Sequence, residues 1–109
     1  MMNFLMWNVR GAGKDSLRSR VKKLIVMNKV CLLAVIEPKM APTKLRYFSS
    51  AVGMHSFMVN PLAEKNMWLL WNDNVEVRSI LNFEQAMTVS VSFLGAEPIL
   101  VTVVYGCCD

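Results

Sequence analysis

The chain has 109 residues, 54% hydrophobic and 18% charged, a composition that excludes intrinsic disorder and allows one small domain or part of a larger one. Its net charge of +4 suits a polyanionic partner but is too modest to argue for nucleic acid by itself. Cys31, Cys107 and Cys108 lack C-x-x-C spacing, no apolar run nears the roughly 18 residues of a membrane helix, and no basic residue precedes Arg10. These features argue against a zinc or disulfide framework, a spanning helix and a signal peptide, and for reduced thiols in an intracellular protein.

Asn3 to Val9 is a short apolar run rich in β-formers and reads as a buried strand, broken by Gly11 and Gly13. Asp15 or Ser16 then offers an N-cap. Leu17, Val21, Leu24 and Ile25 recur at helical spacing and predict a helix ending near Asn28, with Arg18, Arg20, Lys22 and Lys23 largely off that stripe as a solvated basic face. Val30 to Ile36 is a continuous apolar run without alternation, the pattern of a strand covered on both faces. Strand, helix and strand form a βαβ unit whose strands should be parallel and whose crossover should be right-handed. Parallel strands end on one edge, so Asn8 and Arg10 share a rim with Glu37, where ligands of open α/β sheets usually sit.

Pro42 can start a second short helix through Leu45, Phe48 and Val52, with Gly53 as its stop. From there the pattern turns to β. His55 to Asn60, Met67 to Trp71, Val75 to Leu81, Thr88 to Phe93 and Ile99 to Tyr105 read as strands, with turns at Asn72-Asp73-Asn74 and Gly95-Ala96-Glu97-Pro98. The nine methionines follow no period and read as core filler. No repeat or linker divides the chain, so 1–109 is read without an internal boundary.

The stretch Trp7-Asn8-Val9-Arg10-Gly11-Ala12-Gly13-Lys14-Asp15-Ser16 invites a nucleotide reading, which its spacing defeats. A phosphate-wrapping P-loop needs four residues between its glycines and Ser or Thr after the lysine, whereas here Ala12 alone separates the glycines and Asp15 follows Lys14. The dinucleotide fingerprint fails as well, because Ser16 stands where its third glycine belongs. What remains is a tight turn that presents Asn8 and Arg10 at a strand end.

Trp7 to Gly13 resembles the W-N-x-R-G-x-G opening of the endonuclease/exonuclease/phosphatase superfamily, specifically the endonuclease domains of plant LINE-type non-LTR retrotransposons. Leu33-Ala34-Val35-Ile36-Glu37-Pro38-Lys39-Met40 is similar to the family's second strand with its metal-binding glutamate. Met67 to Val77 resembles the W-centred hairpin of the plant elements, and Val101 to Gly106 the strand ending in the family's tyrosine. The four pieces follow one another in order along the whole chain. The family's later motifs, G-D-x-N and a terminal Ser-Asp-His, have no counterpart, and the match is to the N-terminal half alone.

The resemblance implies an α/β fold: a partial four-layer sandwich of the DNase I type, with one mixed sheet, two helices and the second sheet largely missing. It implies a Mg²⁺-dependent phosphodiesterase acting on DNA, nuclear if the family role is retained. Asn8 would orient the metal or the scissile phosphate, Glu37 would ligate Mg²⁺, and Tyr105 would hydrogen-bond the phosphate. The bottom-up reading adds Arg10 as a phosphate contact and supports Asn8 and Glu37 through their common rim and hard oxygen donors. Each also has a plain reading: Asn8 as a turn cap, Glu37 as an exposed strand-end carboxylate, Tyr105 as an amphipathic aromatic. His55 fits no motif and reads as a surface or packing residue. With no performer for the general base, the expected activity is little or none. A half-covered sandwich exposing Tyr47, Trp68, Trp71 and the valine-rich last strands should self-associate. From a different class, the chain could be a non-catalytic basic α/β module that binds nucleic acid or a protein through its first helix.

Overall fold

A computed structural model describes residues 3–8, 15–36, 38, 40–63 and 67–105. In chain order these form β1 (Asn3–Asn8), α1 (Asp15–Met27), β2 (Val30–Ile36), a single 3-10 turn at Pro42–Lys44, α2 (Leu45–Val52), β3 (Ser56–Val59), β4 (Met67–Trp71), β5 (Val75–Phe83), β6 (Ala86–Phe93) and β7 (Ile99–Val104). The first four strands make a mixed sheet in the order β1-β2-β4-β3, and the last three an antiparallel meander.

Two clusters of buried side chains explain why the layers stack as they do. β2 is buried at every position because both of its faces are covered. On one side Leu33 and Val35, with Trp68 and Leu70 of β4, pack under Val21 and Ile25 of α1 and Leu45, Phe48 and Val52 of α2. Phe48 sits between Trp7 and Trp68, with ring centroids 6.3 and 5.8 Å away. Leu32, Ala34 and Ile36, with Met67 and Leu69, face the other way onto Val75, Met87, Val89, Val91 and Val103 of the meander. The fold is therefore three layers: helices, mixed sheet, meander. The second sheet is present with three strands, and its outer face is the one left open: Leu81, Phe83, Leu100 and Val104 are each at least half exposed.

Helix ends follow local chemistry. α2 stops at Gly53, whose left-handed φ of 78° lets its N–H reach back to the Ser49 and Ser50 carbonyls. Asn72 turns the chain from one sheet to the other: its Oδ1 accepts from the Asn74 N–H at 2.9 Å, and its own N–H donates to the Cys31 carbonyl at 3.2 Å.

Three sequence expectations are corrected here. Arg18 is not on the solvated face but is 8% exposed, because α2 packs over this end of α1. Leu24 is 44% exposed instead of belonging to the apolar stripe, since the mixed sheet is already met by Val21 and Ile25. Trp68 is fully buried between sheet and helices, so it adds nothing to the exposed apolar surface, to which Tyr47 and the outer face of the meander do contribute.

Candidate functional site

β1 and β2 are parallel, immediate neighbours, with Asn8 opposite Ile36 in the register. Both strands therefore finish on one edge of the mixed sheet, and Asn8 is exposed there. Arg10 and Glu37, the other residues expected on that rim, lie outside the described residues. Position 37 follows directly on Ile36 in the chain.

Tyr105 reaches the same end of the molecule by a chain of contacts. Ile36 pairs with Met67, and Met67 accepts a backbone hydrogen bond from Asn60. Asn60 is wholly buried and crosses from the first sheet to the second: its Nδ2 donates to the Phe83 carbonyl at 2.8 Å and to the Ala86 carbonyl at 3.1 Å, while its Oδ1 accepts from the Leu62 N–H at 3.0 Å. Ala86 stands opposite Val104, and the N–H of Tyr105 donates to the Gln85 carbonyl at 2.6 Å. Tyr105 is half-buried and packs against the inter-sheet core. Asn8, the end of β2 and Tyr105 thus lie at one end of the sandwich, held there by Asn60. Sequence reasoning passed over Asn60; its only signal was the Asn60-Pro61 pair, a turn-initiating dipeptide.

Beside this rim, Arg18 spreads its guanidinium over the ring of Tyr47, 5.3 Å from the centroid. The two, with Met40, Thr43 and Lys44, line a shallow depression of about 400 Å³. The exposed basic residues of α1 are Arg20, Lys22 and Lys23. Charge is distributed unevenly along the chain: ten of the twelve Lys and Arg fall between Arg10 and Arg46, alongside only Asp15 and Glu37, whereas the strand-rich remainder carries six acidic residues and only Lys65 and Arg78. Among the described residues the positive charge therefore belongs to the helical layer.

His55 is exposed, as expected of a residue outside any motif. Among the described residues, no three His, Cys, Asp or Glu side chains gather to hold a metal. Cys31 is buried with its Sγ directed at the Asn3 carbonyl, 3.5 Å away, and burial pushes its thiol above the usual cysteine value. It packs in the core between the two sheets. No described helix is long and apolar enough to cross a membrane. Neither protein-family models nor curated protein sequences give a match to this chain.

Proposed function

We propose that the rim at Asn8 is part of a Mg²⁺-dependent phosphodiesterase site for DNA, in a partial domain of the plant LINE-type endonuclease kind that has itself little or no hydrolytic activity. The observation that carries the reading is the parallel pairing of β1 and β2, with Asn8 opposite Ile36, immediately before Glu37 in the chain. An amide oxygen and a carboxylate are the hard donors Mg²⁺ takes, and so small a protein donor set would leave the ion most of its waters. When bound, the ion would neutralise charge on the phosphoryl oxygens during in-line attack by water. Asn8 would hold the metal site or the phosphate in orientation, Glu37 would supply the carboxylate, Tyr105 would donate its phenolic O–H to a phosphate oxygen, and Arg10 would pair with a neighbouring phosphate. With Glu37 given to the metal and Tyr105 to the phosphate, none of these residues is left to activate the water, the step that the resemblance assigns to the G-D-x-N and Ser-Asp-His motifs. On this reading the chain works inside the cell, on nuclear DNA.

One observation favours a second reading. Arg20, Lys22 and Lys23 are exposed on α1, the layer richest in positive charge, as a non-catalytic nucleic-acid-binding module would need. Titration with Mn²⁺ as a paramagnetic stand-in for Mg²⁺, combined with a plasmid-nicking assay, separates the two. The phosphodiesterase reading expects metal binding that is lost on Glu37→Ala, and at most trace nicking that vanishes with it. Salt-sensitive DNA binding that survives Glu37→Ala and chelation of the metal, but falls when Arg20, Lys22 and Lys23 are neutralised, would instead establish the module.

A further inference from the structure

The two sheets end unevenly on one side. The mixed sheet has four strands and the meander three, and the meander stops at β7, short of β1. The residues of β1 that face the meander side, Phe4 and Met6, are consequently 41% and 57% exposed, although their neighbours Leu5 and Trp7 pack under the helices. Between this ledge and β7 runs an apolar slot of about 210 Å³, floored by Leu32 and Ala34 and walled by Val101 and Val103.

Both strands that border the slot are bare of charge. β1 reads Asn-Phe-Leu-Met-Trp-Asn and β7 Ile-Leu-Val-Thr-Val-Val, each presenting an edge that none of the described strands pairs with. The meander's other edge is guarded: β5 carries Glu76 and Arg78, and its register slips between Ser79 and Leu81. β7 pairs in unbroken register and β1 slips only at its first step, between Asn3 and Phe4, so that an uncharged edge over an open apolar slot is offered to another strand.

We propose that a second copy of this chain fills it, in a reciprocal step joint: the β1 ledge of each copy lies beside the free edge of the other's β7, over the slot. This specifies the association already expected of the uncovered sandwich. Direct β7-to-β7 pairing is obstructed, because each β1 ledge projects beyond β7 into the space its counterpart needs. Half a turn about an axis between the layers, parallel to the strands, removes that obstacle. It sets ledge into notch twice, so that each layer runs from the four strands of one copy into the three of the other. A strand edge alone falls short of the roughly 800 Å² per partner of a stable interface, and the cover over Phe4, Met6 and the slot supplies further apolar area. Charge permits the arrangement, since the joint is neutral while the basic helical layers are carried on opposite outer sides of the pair. Because the contact is isologous it closes at two copies and uses up the β1 and β7 edges of both, leaving β3 and the guarded β5 as the outer strands.

Sedimentation velocity over a concentration series reads the joint directly. The wild-type chain is expected to pass from monomer to dimer without larger species. Met6→Lys, at a position exposed in the single copy, should raise the dimer dissociation constant at least about 100-fold by placing a charge in the joint. Leu81→Lys, on the open outer face of the meander, should leave it unchanged. Phe4→Lys repeats the test if circular dichroism shows Met6→Lys to be unfolded, and hydrogen exchange supplies a readout without mutation: amides of β1 and β7 should slow as concentration rises. A wild-type monomer at every soluble concentration, open-ended polymers, unaltered exchange in β1 and β7, or association lost with Leu81→Lys and kept with Met6→Lys would each overturn the proposal.

Discussion

Asn60 is the polar tie between the sheets, and its replacement tests whether that tie positions the rim. Asn60→Ala removes three hydrogen bonds to backbone groups, two donated to the Phe83 and Ala86 carbonyls and one accepted from the Leu62 N–H, and a longer contact to the Met67 sulfur, at a residue that is wholly buried. At about 1 kcal/mol net for each, the loss is roughly 2–4 kcal/mol, a large part of the 5–15 kcal/mol typical of a domain. Asn60→Asp sharpens the test. It keeps the acceptor for Leu62 but turns a carboxylate oxygen toward two carbonyl oxygens in a buried place, so at neutral pH it should cost at least about 1 kcal/mol more than Asn60→Ala. Both burial and the facing carbonyls raise the pKa of the introduced carboxyl, and the protonated form can donate one of the lost bonds. The Asn60→Asp variant should therefore recover relative to Asn60→Ala below about pH 4, the ordinary carboxyl range, and lose that recovery as pH rises through the raised value. Urea denaturation followed by tryptophan fluorescence, repeated from acid to neutral pH, measures both. An Asn60→Asp variant as stable as wild type at neutral pH would refute the bridge.

Two further expectations follow from burial and charge. Arg18→Ala should lower the melting temperature by removing a buried side chain held over Tyr47, while leaving the salt dependence of DNA binding almost unchanged; joint neutralisation of exposed Lys22 and Lys23 should do the reverse, flattening the salt slope at little cost in stability. Cys31, with its thiol pKa raised by burial, should resist iodoacetamide in the native protein at neutral pH and react readily in urea. Peptide mapping by mass spectrometry scores its labelling, and equal labelling in the two states would contradict its burial.

Legibility from sequence tracked the number of layers that touch an element. β2 and β4 are continuous apolar runs, and their predicted limits, Val30 to Ile36 and Met67 to Trp71, coincide with the observed strands because a strand covered on both faces is apolar at successive positions and these runs are too short for helices. The stop at Gly53 was legible for a backbone reason, its left-handed φ. The β5–β6 hairpin was harder: its two-residue turn is Glu84-Gln85, without Gly or Asn, so the strands extend to Phe83 and back to Ala86 beyond the boundaries expected. On α1 the helical period identified Val21 and Ile25 but misassigned Arg18 and Leu24, since the position of α2 decides which flank of the stripe is covered. The shared strand ends of Asn8 and Ile36 followed from βαβ logic alone. Asn60 could not, because its partners Phe83 and Ala86 become neighbours only when the second sheet docks.

The two sheets differ in how far the chain must travel to build them. The meander pairs strands joined by tight turns, so its loops close at little entropic cost, whereas β1 meets β2 only across the whole of α1, and β2 meets β4 only across α2 and β3. Contacts of long sequence separation form late and slowly. The meander thus has the means to assemble first, yet the inner side of Val89, Val91 and Val103 stays wet until β2 and β4 arrive. Refolding should accordingly be limited by completion of the mixed sheet, with a preformed hairpin array waiting, its apolar side transiently open to other chains.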